Sequence, residues 1–460
     1  MVFITTNLMH SFFYEGILCF TYKFVISNFI PIIFMLKFSC MKRLILSLAL
    51  IIFTTTSAIA NVVNIDLETM IDIGLKENCD LKVKRMELKA AEKDIKIANR
   101  LKNPEIQGNI VMGNVALGNS SQAGVALPIE VLKRGVRKNI AIKEYSIKET
   151  ELKQAEHNYK LQIMQGYFDV LYAKSVYSIQ EERLKLFKNL VKITTDKPKY
   201  PSYEIDNLKA DIQYAQQLIA VNRAKANLYS KQFELNKILN TGNDTLMYDT
   251  KESTLLGHWA FLEIKLPDYD FLENVALQYS YLVKISEKNI EKSQDEVTLA
   301  KRQRVPDFSV AGGYAWQVHR NAPNDYGGAF VGFGMDLPIL YNFTPDIQKA
   351  QIYLERSKVS KKAYEHQLKY ELKKDYNVFK YSAENMEHSK KILADSAKIV
   401  KLSTEGYIKG KNSYNDLVIN EKGHQDILTL YLSTMHSHFY SYLELMQDIG
   451  HDILIKEDLL

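Results

Sequence analysis

His436 and His438 stand two residues apart, and imidazole nitrogens are the commonest protein ligands of metal ions. Residues two apart on a helix point in divergent directions, so the pair reads as packed or solvated side chains and not as a metal site. Of the three cysteines, Cys19 and Cys40 lie within the first 60 residues and Cys79 stands alone beyond them. A chain beginning after residue 60 therefore has neither a CxxC motif nor an internal disulfide. Gly312-Gly313 and Gly327-Gly328 would let a backbone approach a phosphate. No nucleotide loop, Gly-x-Ser-x-Gly elbow or His-Glu-x-x-His helix accompanies them, so packing is the better use for those glycines. The expectation is a protein that is not an enzyme, with no metal and no cofactor.

A different chemistry, partition between water and lipid, is written around those glycines. From Phe308 the period is two: Phe308, Val310, Gly312, Tyr314, Trp316 and Val318 alternate with Ser309, Ala311, Gly313, Ala315, Gln317 and His319. The return segment sets Ala329, Val331, Phe333, Met335 and Leu337 against Phe330, Gly332, Gly334 and Asp336. Large apolar side chains on one face and small or polar ones on the other are the pattern of a membrane barrel strand. Expected to face lipid are Phe308, Val310, Tyr314, Trp316, Val331, Phe333, Met335 and Leu337, with Tyr314 and Trp316 in an interfacial aromatic girdle. Gly312 and Phe330 break the pattern on their faces. A weaker pair of strands lies at 106–113 and 123–127. A soluble sandwich shows the same alternation, but only two hairpins are visible and nothing else in the sequence offers to cover their apolar faces.

The elements that must carry these hairpins are long helices. The chain has 460 residues, 46% hydrophobic and 25% charged, with a formal charge of +5. That is enough for a core, and it lacks the concentrated basic patch of a nucleic-acid partner. Proline, costing roughly 3 kcal/mol inside a helix, is absent between Pro128 and Pro198, between Pro201 and Pro267, and after Pro345. Tyr364, Leu368, Leu372, Tyr376, Phe379 and Ala383 keep one coiled-coil-like stripe, as do Leu152, Ala155, Tyr159, Ile163, Tyr167 and Val170. A helix over 136–193 would be on the order of 85 Å long. Each run breaks once, over Thr194 to Pro201 and near Gly406 to Ser413, as helical hairpins do where the chain reverses.

The order of elements occurs twice. Ile97-Ala98-Asn99-Arg100 aligns with Leu299-Ala300-Lys301-Arg302, and Pro104-Glu105 with Pro306-Asp307, at one offset of 202. Leu127-Pro128-Ile129 matches Leu337-Pro338-Ile339 at 210. Several matches in order argue for duplication. The expected domains are a first repeat over 61–240, with hairpin 105–130 and a helical tip near 194–203, an equatorial linker over 241–266, and a second repeat over 267–445, with hairpin 307–339 and a tip near 406–413. A tail follows over 446–460. Ahead of these, 41–60 reads as a secretory signal: Lys42-Arg43, an apolar run, then Ala58-Ile59-Ala60. Residues 1–40 read as an upstream mis-start.

Four strands cannot close a barrel, and an open sheet in lipid leaves backbone groups unpaired at several kcal/mol each. Three chains would supply twelve, within the range of known barrels. The signal, the repeat, the strand pairs ending in Leu-Pro-Ile, the long helices and the run Tyr407-Ile408-Lys409-Gly410-Lys411-Asn412-Ser413-Tyr414-Asn415-Asp416-Leu417 together resemble the TolC family of outer-membrane efflux proteins. The resemblance covers essentially the whole chain after residue 60. It implies a mainly α fold with a small β part: long antiparallel coiled-coil helices forming a trimeric α-barrel, and four membrane strands per chain in a 12-stranded barrel. It implies a homotrimer in outer-membrane lipid with a periplasmic helical extension. Its partners would be a periplasmic adaptor and an inner-membrane transporter, in efflux or type I secretion. It further implies a gate at the periplasmic tips, placing the gate tyrosine on Tyr407, the lumen-ring aspartate on Asp416 and the first-copy aspartate on Asp206. The family's basic partner is Asn412 here and its second ring aspartate is Ile419, so a gate held by the same salt bridges is not expected. Lys409 and Lys411 are nearby substitutes, and the alternative is that these are solvated tip residues. The competing reading is a periplasmic coiled-coil scaffold or surface-binding protein with no pore.

Overall fold

The computed structural model describes residues 61–111, 119–195, 201–242, 246–257, 259, 262, 264, 266–318, 326–409 and 411–450. The expected signal segment, residues 196–200 of the first tip and the end of the tail lie outside them. One compact unit comprises Val62–Asn243 with Met247–Leu460; the other, Met1–Asn61 with Asp244–Leu246, contributes only Asn61 and Leu246 to the described residues.

The order of elements occurs twice. After β1 (Asn61–Ile65) come α1 (Leu67–Glu77), α2 (Cys79–Ala98), the hairpin β2 (Glu105–Val111) and β3 (Asn119–Ile129), then α3 (Lys133–Thr195) and α4 (Pro201–Leu239). After β4 (Leu246–Thr250), which pairs with β1, the series returns: α5 (Tyr269–Tyr279), α6 (Tyr281–Arg302), β5 (Phe308–Val318), β6 (Tyr326–Met335), α7 (Thr344–Ile408) and α8 (Tyr414–Ile449). The matched helices are nearly equal in length: α1 and α5 have 11 residues each, α3 has 63 and α7 has 65. At about 1.5 Å per residue, α3 and α7 each run on the order of 95 Å.

Local chemistry sets the boundaries. Asp66 caps α1 by accepting from Thr69 N at 2.9 Å. Asn78 ends α1 and caps α2, accepting from Leu81 N at 2.9 Å while its amide donates to the carbonyls of Ile238 and Leu239, each at 3.3 Å. Ser280 occupies the same junction between α5 and α6. Thus the helical stretch ahead of each β-hairpin is two helices. Pro201 opens α4 at the first helical position, where a missing N–H costs nothing. Gly450 ends α8 in the left-handed region, φ 67°, and packs against the Tyr279–Ser280 backbone.

Each long helix pairs with the next: α3 with α4, and α7 with α8. Helices α2, α6 and α8 also pack on α3, and α6 on α7. The apolar core gathers midway along the hairpins, around Tyr167, Phe168, Leu235, Leu372, Phe379, Phe439 and Met446. Phe168 stacks on Phe439 with centroids 3.8 Å apart, and Trp259 meets Phe168 edge-on at 4.7 Å. One ring therefore ties α3, α8 and the segment after β4. Truncating it, Phe168→Ala, is expected to cost about 3–5 kcal/mol of stability through the cavity left behind, read as a lower denaturant midpoint at unchanged slope.

The four hairpin strands form one antiparallel sheet in the order β2-β3-β5-β6. The repeats join through β3 and β5, paired from Asn119↔Val318 to Ile129↔Phe308. β2 and β6 are its edges.

Candidate functional site

Register decides which side chains share a face, because directly opposed residues of an antiparallel pair point the same way. Ile129, Phe308 and Met335 form one row; Leu127, Val310 and Phe333 the next; Val125, Gly312 and Val331 a third, which Ile106 extends. Most large apolar residues of the four strands therefore fall on one face, with Phe330 of β6 an exception on the other. Phe308, Val310, Tyr314, Trp316, Val331, Phe333 and Met335 are all exposed there, as is Leu337 just past β6. Ile106, Val331 and Phe333 are 89%, 70% and 83% exposed. Burying one such side chain is worth about 1.5–3 kcal/mol, so a contiguous sheet of them is costly in water. The opposite face carries Gln122, Gly124, Ala126, Ala311, Gly313, Ala315, Gln317 and Phe330; Gln122 is exposed, Ala126 is buried and the others are half-buried.

At the second tip α7 ends at Ile408 and α8 begins at Tyr414. Ser413 and Asp416 form a capping box at the start of α8: Asp416 N donates to Ser413 Oγ at 3.1 Å, and Ser413 N donates to Asp416 Oδ2 at 3.2 Å. Asn412 reaches back to Ser403 O at 3.4 Å, and its side chain occupies the space that a Cβ on Gly406 would need. Both residues are thereby engaged within their own hairpin, and Lys409 and Lys411 are exposed beside them. Tyr407 lies in the last turn of α7 and Asp206 in the first turns of α4; their side chains are outside the described residues. No described contact joins the α4 tip to Lys409, Lys411, Asn412 or Asp416. Below the tips, Val418 of α8 packs with Phe187 of α3 and Tyr214 of α4, holding the hairpins together.

Sequence reading missed three polar nodes on α8. Asp169 of α3 accepts from Tyr440 OH at 2.6 Å and meets His436 Nε2 at 2.8 Å and Lys231 Nζ at 3.3 Å. Burial opposes its ionisation, but the bonds from His436 and Tyr440 outweigh it and hold the carboxyl below the usual range. His438 turns the other way, its Nδ1 2.7 Å from Ser382 Oγ on α7, which is the divergence expected of residues two apart. Among the described residues no three His, Cys, Asp or Glu side chains form a group able to hold a metal. Four serines of α7, at 382, 389, 396 and 403, repeat every seven residues along the seam with α8. Ser396 meets His424 Nδ1 at 2.8 Å, and Ser403 accepts from Asn420 at 3.1 Å.

The third node is Asp448, beside buried Asp375 of α7. Burial, then the hydrogen bond with Asp375 and the charges of Asp375 and Glu371, push the Asp448 carboxyl up to about 8, with Lys374 opposing. An unfolded Asp titrates near ~3.9, so the folded chain keeps a proton that the unfolded chain releases. That contribution is complete below the unfolded value and is lost as pH rises to about 8. Asp448→Asn is expected to remove it: the unfolding temperature of the native sequence should fall as pH rises from about 4 to about 8, and the variant's profile should be flatter.

No family model matches the sequence, and no curated protein matches it. Solved structures do. The chain is similar to the Campylobacter jejuni CmeC outer membrane channel, with a TM-score of 0.68 and 16% identity over 84% of this chain and 85% of that one. The open state of the Neisseria gonorrhoeae MtrE outer membrane channel matches with a TM-score of 0.66 and 13% identity, over 84% and 88% of the two chains. The outer membrane protein VceC of Vibrio cholerae matches with a TM-score of 0.64 and 12% identity, over 84% and 96%. At such identities the likeness is one of architecture: this chain has the fold of the outer-membrane channel proteins, the fold that its resemblance to the TolC family implies.

Proposed function

We propose that three copies of this chain assemble into a passive conduit through the outer membrane of a Gram-negative bacterium, the exit channel of a tripartite efflux or type I secretion system. The observation that carries this is the sheet: one wholly exposed apolar face and two unpaired edges, β2 and β6, in a four-stranded piece that cannot close on itself. Edge-to-edge joining of three such pieces satisfies the edges and turns every apolar face to lipid. Among the described residues no helix is long and apolar enough to cross a membrane, so the strands are the elements suited to lipid.

The helices make the same demand for neighbours. On α4, exposed Ile205, Leu208, Ile212 and Ile219 follow heptad spacing; on α7, exposed Val378, Tyr381, Ile392, Ile399 and Leu402 do the same. Among the described residues each stripe stays exposed, as a coiled-coil seam does before its partner joins. In the trimer these seams close the helices into a periplasmic tube below the barrel, whose tips offer a docking surface to a periplasmic adaptor and, through it, an inner-membrane transporter. The conduit performs no bond chemistry, and its driving force comes from that transporter. A coiled-coil scaffold without a pore explains the helices, but it gives the exposed sheet face no use. Native mass measurement of protein extracted from outer membranes tests the reading: a three-chain particle is expected, and a detergent-independent monomer would refute it.

A further inference from the structure

Phe330 is the anomaly of the sheet. It stands on the face of small and polar side chains, with Ala311, Ala315, Gly328 and Gly332 around it and Gly313 directly opposite. Two glycines make room for it. A Cβ on Gly313 would lie 2.8 Å from Phe330 Cε1, and one on Gly124, the next residue along that row, 2.9 Å from its Cζ. The ring therefore reaches from β6 across β5 to β3 and covers backbone that no side chain protects, as aromatic residues do beside strand glycines. Covering the backbone uses one side of the ring. Phe330 remains half-exposed, its other side open on the face away from the large apolar residues.

Resting on the proposal that this face lines the lumen, we infer that Phe330 is a docking point on the pore wall for flat aromatic solutes and lipophilic cations in transit. Beside the ring the wall offers Ala311, Ala315, Gly328 and Gly332, which bind such solutes weakly; Gln107, Gln122, Gln317 and, on β2, the carboxylate of Glu105 lie farther along it. An exposed ring attracts them by stacking and, for cations, through its quadrupole. The ring does not plug the pore: a barrel of this strand number is wider than its side chains can fill. It holds solutes briefly at the wall.

The test is single-channel recording of the purified assembly with tetraphenylphosphonium added, comparing the native sequence with Phe330→Leu, Phe330→Ala and Phe330→Trp. Leucine keeps apolar bulk over the two glycines, so the assembly stays measurable if alanine weakens it. Residence of the cation is expected to shorten about three- to tenfold in the leucine and alanine variants and to persist in the tryptophan variant, at little-changed open conductance. A conducting native channel whose residence times are the same in the leucine and alanine variants overturns the ring site and leaves the conduit standing. An assembly that carries no current even with its tip residues mutated overturns the conduit, and the ring site with it.

Discussion

Gly313→Val is expected to leave the helical hairpins folded while abolishing insertion into the outer membrane. Gly313 pairs with Gly124 where β3 meets β5, the junction between the two repeats. A Cβ there would stand 2.5 Å from Gly124 Cα and closer still to the carbonyl oxygen of Ala123. Both obstacles are backbone, so no rotamer change relieves them, and the strands must part. Losing that ladder splits the sheet into two hairpins, which are marginal alone, and the penalty exceeds the roughly 4–5 kcal/mol at which a single substitution becomes exceptional. Gly328 is the control. It lies on the same face, opposite Ala315, with nothing within 4 Å of an added Cβ, so Gly328→Val should insert normally. Membrane fractionation reads insertion, and far-UV circular dichroism of the detergent-extracted chain reads the helices. Normal insertion of Gly313→Val would mean that the sheet is not the membrane element.

The second large effect concerns the helices. Ile399→Glu combined with Ile212→Glu is expected to shift the three-chain particle to single chains without loss of helix content. Both side chains are more than half exposed in the isolated chain, so the charges disturb no packing within it. In the assembly each would be desolvated in a coiled-coil seam, costing several kcal/mol per charge without a partner. Repeated in three copies, that cost is decisive for association and silent for folding. Native mass in detergent and circular dichroism together check it. Monomers that have also lost helix would show instead that these stripes are packed within the chain.

Much of the architecture is legible in the residues because it rests on local rules. Proline spacing exposes the long helices, and alternation from Phe308 to Leu337 shows two faces. The shared offset at Pro104 and Pro306 marks the order of elements that occurs twice. Illegible features depend on distant partners. Asn78 breaks what looks like one helix because its amide finds the carbonyls of Ile238 and Leu239, some 160 residues away. The first half of β3, Asn119-Ser120-Ser121-Gln122, reads as turn chemistry, yet β5 supplies it with a paired strand. β4 falls in a stretch that offers no pattern and exists by pairing with β1. The tip shows the opposite failure. Family likeness marks Asp416 and Asn412 as gate residues, while the local Ser-x-x-Asp spacing of Ser413 and Asp416 already spells a helix cap. In the isolated chain both residues serve the turn that carries them.

The central claim is that the pore belongs to the assembly and not to the chain. Outer-membrane extracts separated by mass into three-chain and single-chain fractions, each reconstituted in planar bilayers at equal protein, put that claim to the most direct test. Stepwise, long-lived current from the three-chain fraction alone is the predicted result. Equal current from single chains, or silence from an intact three-chain particle whose tips have been mutated, would contradict it.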